Sequence, residues 1–174
     1  MVPLDTFLWA SILLFGLMGA LRGWSKEMLV LFAVVVSLAM RVIFTEYVPF
    51  IRDLFEGPPV QQFYIYTGLL LLMTIAGYAG PAMSGRLASA SARETLQDIV
   101  LGFIIGAVNG YLIVGSIWYF LDAAGYGIWG VAQPAPNTIA AALAAKYLPP
   151  LWLSNAALLT VFAVASVFVI IVLV

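Results

Sequence analysis

LGFIIGAVNG, residues 101–110, places glycine at every fourth position of an otherwise almost wholly apolar run. In a helix exposed to water, Gly102, Gly106 and Gly110 would each cost about 1 kcal/mol relative to alanine. In lipid the balance differs. Lipid tails give helices no hydrophobic reason to associate, so association depends on close backbone contact, and small residues four apart form the groove that permits it. The repeat therefore reads as a packing face of a membrane helix, extended toward Gly115 and Ser116 with a change of register. It can meet another span of the same chain, a second copy or a partner protein. Asn109, a polar amide within the run, reads as interhelical glue or as the lining of a pore.

Composition identifies the solvent as a bilayer. The chain is 64% apolar and 9% charged over 174 residues, too few polar groups to cover a water-soluble surface. Its net charge of −1 gives no basic patch for nucleic acid. It contains neither cysteine nor histidine, so thiolate metal sites, the commonest general base and the usual axial ligands of haem or chlorophyll are absent from the chain.

A span needs roughly 20 apolar residues to cross about 30 Å of hydrocarbon. Five stretches meet that measure, at about Leu4–Leu21, Met28–Phe44, Phe63–Met83, Ile99–Leu121 and Ala156–Val174. The first is read as a span and not a cleaved leader, since MVPLD carries no positive charge and no A-x-A site follows. Pro81 is expected to close the third. Ser91 and Glu94 match a capping box ahead of the fourth. Asn137 is the expected N-cap of a short helix whose apolar face is Ile139, Leu143 and Tyr147, and which Pro149 ends. That helix is too short to span and suits an interfacial or re-entrant position. The expected fold is thus an all-α polytopic membrane protein of about five transmembrane helices plus a short interfacial helix. Residues 1–121 would form a four-helix membrane domain, 122–155 an extracytoplasmic loop and 156–174 a C-terminal span. Arg22, Lys26, Arg86 and Arg93 bias the first and third loops toward the cytoplasm, with the N-terminus outside. Arg41 is expected to reach for the headgroups, and the five tryptophans, Trp118 among them, to act mostly as interfacial anchors.

Two motifs resemble the colicin V production (CvpA) family of bacterial inner-membrane proteins. The first is an early Asp5 followed by G-x-x-R-G-x-x-[KR]-E, here Gly19, Arg22, Gly23, Lys26 and Glu27. The second is D-x-x-L-G-x-x-x-G-x-x-x-G, here Asp98, Leu101, Gly102, Gly106 and Gly110. Isoleucine at 99 and Asn109 replace arginines common in the family, and the fifth span replaces an amphipathic tail. The resemblance implies four helices over residues 1–121 and an association with toxin production or export. It also gives Asp5, Arg22, Glu27 and Asp98 a shared importance, and an Asp98–Arg22 pair would tie spans one and four together.

Without histidine, cysteine, paired carboxylates within a span or a phosphate-binding loop, no enzyme is expected. A channel or transporter component would show charge or broken helices at the midplane, and the spans read as nearly uncharged there. The expected role is a structural or accessory subunit of a larger membrane complex, photosynthetic or respiratory, or of a self-assembly, packing through glycine grooves. No cofactor is expected beyond peripheral contact with lipid, pigment or quinone.

Overall fold

A computed structural model describes residues 3–83, 96–128 and 130–173. The regular structure among them is all helical: α1 Leu4–Arg22, α2 Trp24–Glu46, α3 Pro49–Phe55, α4 Pro59–Met83, α5 Leu96–Ala123, α6 Ile139–Lys146, α7 Pro149–Trp152 and α8 Asn155–Leu173. Four of them, α1, α2, α4 and α5, are long and apolar enough to cross a membrane. The stretches Ile139–Trp152 and Asn155–Val164 pass the same test only together, bent by 46°, as a broken span or re-entrant loop. The expected C-terminal span thus falls on α8, joined to the short helices before it. The capping box at Ser91 and Glu94, Arg86, Arg93 and Trp129 lie outside the described residues.

α2 is the centre of the bundle, with Val30, Val34, Leu38, Ala39 and Val42 all buried. It packs against α4, α5 and α8, while α1 lies along α5 in the most extensive contact of the fold. The outward faces are apolar: Leu14, Leu21, Leu72, Ile75 and Ile104 are all more than half exposed, which suits a hydrocarbon solvent.

Several boundaries differ from the sequence reading. The polar stretch RGWSKE does not form a loop. Gly23 alone joins α1 to α2, at φ 83° and ψ 155°, a conformation that side chains disfavour. α4 continues through Pro81 to Met83, because proline in a final turn disturbs little beyond it. The connection after α2 contains α3, opened by Pro49 and held by Phe55, whose ring meets Phe44 at 5.0 Å and whose carbonyl accepts the Tyr66 hydroxyl at 2.6 Å. Thr138, not Asn137, caps α6, its Oγ1 accepting from the Ala141 N–H at 3.2 Å, while Asn137 takes a left-handed turn at φ 63°. α6 buries Ala140 and Ala144 and leaves Ile139 and Tyr147 exposed, since small side chains allow the closer approach to the bundle.

Trp118 is a core residue and not an anchor, 3% exposed, with its indole N–H donating to the Tyr126 hydroxyl at 3.0 Å. Burial pushes that hydroxyl above the ordinary tyrosine range. Its contribution to stability is therefore present below the ordinary value of 10.0 and is lost as pH rises through the higher folded value. Tyr126→Phe strands the buried indole donor, and thermal unfolding in detergent is expected to show a loss of about 1–3 kcal/mol.

Candidate functional site

The glycine repeat of α5 faces α1. A Cβ built on Gly102 would lie 2.3 Å from the Gly19 carbonyl oxygen, and one on Gly106 would lie 2.4 Å from the Phe15 carbonyl oxygen. From the other side, a Cβ on Gly19 would lie 2.2 Å from the Gly102 carbonyl oxygen. Gly110 is limited by the Phe15 side chain at 2.7 Å, and Gly115 faces Pro149 of α7. The two backbones are in direct contact over two turns, closer than any alanine-lined pair could come.

That contact determines where the charges go. With α1 seated in the groove, Gly23 reaches the level of Gly102, so the first turn of α2 starts inside the bundle. Glu27 is carried inward to Asn109, and both residues are 0% exposed. The Asn109 amide donates to the Glu27 carboxylate Oε2 at 2.9 Å and to the Glu27 carbonyl at 3.0 Å. The other carboxylate oxygen accepts from Arg22 Nη1 at 2.6 Å. Arg22 Nη2 donates to the Tyr78 carbonyl at 3.3 Å, and the guanidinium lies 4.3 Å from the centre of the Tyr78 ring. One ion pair thus joins α1, α2, α4 and α5, with both carboxylate oxygens occupied and the cation resting on an aromatic face. Asn109 stands near the middle of the 28-residue α5, about 20 Å from either end at about 1.5 Å per residue. Arg22 and Glu27 themselves stand in the last turn of α1 and the first turn of α2, so the charges lie at the ends of their own helices while enclosed by the bundle.

The remaining motif charges are distributed elsewhere. Arg22 meets Glu27 in place of the expected Asp98, which stands half-buried in the first turn of α5. Asp5 is at the far end of α1, beside a groove of about 1000 Å³ lined by the α1 N-terminus and residues 130–140. Arg41 holds its guanidinium 5.7 Å from the centre of the Tyr66 ring, and its Nε is buried. Among the described residues, no group of three or more Asp or Glu converges to hold a metal. Neither Tyr78 nor the depth of Glu27 was legible in the sequence. The available signal was Gly23 between Arg22 and Glu27, since a one-residue turn makes two residues five apart neighbours on adjacent helices.

The arrangement holds a neutralised charge pair, enclosed where four helices meet. Comparison with known proteins gave one finding: the family model for colicin V production proteins matches residues 4–133, the greater part of the chain and all four long apolar helices. Searches of curated proteins and of solved structures gave no match.

Proposed function

This chain belongs to the colicin V production protein family, and we propose that it is a non-enzymatic accessory subunit of a bacterial inner-membrane assembly. The observation that supports this reading is the use made of its polar groups: Arg22, Glu27 and Asn109 fasten the chain's own helices, and the outer wall is left apolar for lipid and neighbouring helices. The glycine face is filled by α1, so the partner would dock on that outer wall and not in the glycine groove. The N-terminus would lie outside. A cysteine placed at Ser89 should then be labelled only from the cytoplasm and one at Gln133 only from outside; the opposite pattern reverses the orientation.

Native membranes extracted in mild detergent should yield the chain in a discrete band of high mass on native electrophoresis, with co-migrating proteins identifiable by mass spectrometry. Migration as a free monomer overturns the accessory-subunit reading. A second reading, a component of a small-solute channel or transporter, is favoured by the buried carboxylate of Glu27, since ionisable groups inside membrane bundles commonly mark pathways. Solute flux in vesicles containing only this chain would favour it.

A further inference from the structure

Buried polar atoms with no hydrogen-bond partner among the described residues are confined to the helices that meet at one seam. They are Asn109 Oδ1 and Ser116 Oγ on α5, Thr67 Oγ1, Thr74 Oγ1 and the Tyr78 hydroxyl on α4, and Arg41 Nε on α2. Asn109 and Ser116 are 0% exposed, Thr74 6% and Thr67 7%. Such atoms are rare in folded proteins because each forfeits its hydration. Here all but the Tyr78 hydroxyl also share a periodicity. Thr67 and Thr74 are seven residues apart, as are Asn109 and Ser116, and Glu27, Val34 and Arg41 recur at the same interval on α2. Each set therefore occupies one face of its helix.

Contacts between the helices give their relative heights. Gly77 lies on Val30 and Arg41 over Tyr66, which sets α2 and α4 antiparallel. The Tyr66 and Phe120 rings meet at 5.3 Å, and Asn109 bonds Glu27, which fixes α5 against both. In this register the unpartnered atoms other than the Tyr78 hydroxyl follow one another as Asn109, Thr74, Ser116, Thr67 and then the level of Arg41. With Tyr66 and Phe120 taken as level, the first three axial steps are three to four residues, about 5 Å each, and Arg41 stands one residue beyond Thr67. Two polar atoms joined by one water lie about 5.6 Å apart, twice an ordinary O–H···O distance of about 2.8 Å.

We propose that the α2–α4–α5 seam binds a file of internal waters running from the Asn109–Glu27 pair to Arg41. The chemistry of the unpartnered atoms selects the occupant. Asn109 Oδ1 can only accept, Arg41 Nε can only donate, and the hydroxyls do both. A cation would satisfy the first and repel the second, an anion the reverse, whereas water serves all of them. The file would connect the carboxylate buried inside the bundle to the Arg41 end through exchangeable hydrogen bonds. This inference holds for either reading of the protein's role, since it concerns hydration within a single chain.

The test is hydroxyl-radical footprinting by X-ray radiolysis of the full chain in lipid nanodiscs, where radicals form from waters held next to buried side chains. Leu70 and Leu112, 0% and 6% exposed and level with the seam, should oxidise several-fold faster than Leu72 and Ile75, which face lipid. Equal and low oxidation at all four overturns the proposal, and is what hydroxyls bonded to their own helix carbonyls would give. The variant Thr74→Val/Ser116→Ala removes two water partners without breaking a protein hydrogen bond. It should keep the wild-type melting temperature while Leu112 oxidation falls to the level of Leu72. Undiminished Leu112 oxidation in that folded variant also overturns the proposal.

Discussion

Gly106→Ala is expected to destabilise the protein severely, although alanine is the better helix former by about 1 kcal/mol and serves in many small-residue faces. The added methyl would sit 2.4 Å from the Phe15 carbonyl oxygen and close to the Gly19 backbone. No side chain can rotate away from that clash; the helices themselves must separate. Separation loosens the dispersion contacts along the whole α1–α5 face, each about 0.1–0.2 kcal/mol but very numerous. It also lifts Gly23 from the level of Gly102 and so withdraws Glu27 from Asn109. A loss at or above about 3 kcal/mol, the upper end for overpacked sites, is expected in a reversible detergent-unfolding titration. Gly102→Ala should behave alike, because its Cβ meets the Gly19 carbonyl at 2.3 Å. Ile104→Ala, on a side chain more than half exposed toward lipid, is the control and should change stability little. If Gly106→Ala unfolds at the same denaturant concentration as Ile104→Ala, the α1–α5 contact described above is wrong.

Glu27→Ala carries the other large expected effect. It removes both acceptors at the junction of four helices, leaving the Asn109 amide without its carboxylate and Arg22 without its counter-charge, in a place where the Arg22 side chain is only 22% exposed. Breaking a buried pair from one side costs about 3–5 kcal/mol, most of it the penalty of the charge left behind. The charge therefore predicts a rescue. Arg22→Met in the Glu27→Ala background should restore part of the loss, and the double-mutant cycle should show a coupling of about 1–3 kcal/mol. Arg22→Met combined with Asp98→Asn should instead give nearly additive losses, since Arg22 bonds Glu27 and not Asp98. Additivity in the first cycle, or coupling only in the second, would return the pairing to Asp98.

Much of the fold was legible because the bilayer imposes a length on anything that crosses it. Four apolar stretches of the required size are four helices, and Pro58–Pro59 and the Gly/Pro-rich segment after Asp122 mark where long helices begin and end. The glycine repeat was also readable, since three glycines four apart have few reasons to be there except close approach. Less was legible about the site. Asp5, Arg22, Glu27, Asp98 and Asn109 stood out one at a time, but sequence distance does not say which charges meet, because an ion pair depends on the relative height and rotation of separate helices. Numbering from Met28 put Glu27 at the membrane edge. The α1–α5 contact and the Gly23 turn enclose it among the helices.

The sequence by itself determined the solvent, the four long apolar helices within residues 4–123, the glycine face and the motifs of the family, because each depends on residue type and local period alone. Tertiary structure decided that the glycine face is filled from within the chain, that Arg22 chooses Glu27 over Asp98, that Trp118 is core and not anchor, and that buried polar side chains seven residues apart on α4 and α5 lie on helices that meet. All four follow from how helices are shifted and turned against one another. That shift is set by the summed fit of the whole contact, to which no single stretch of residues holds the answer.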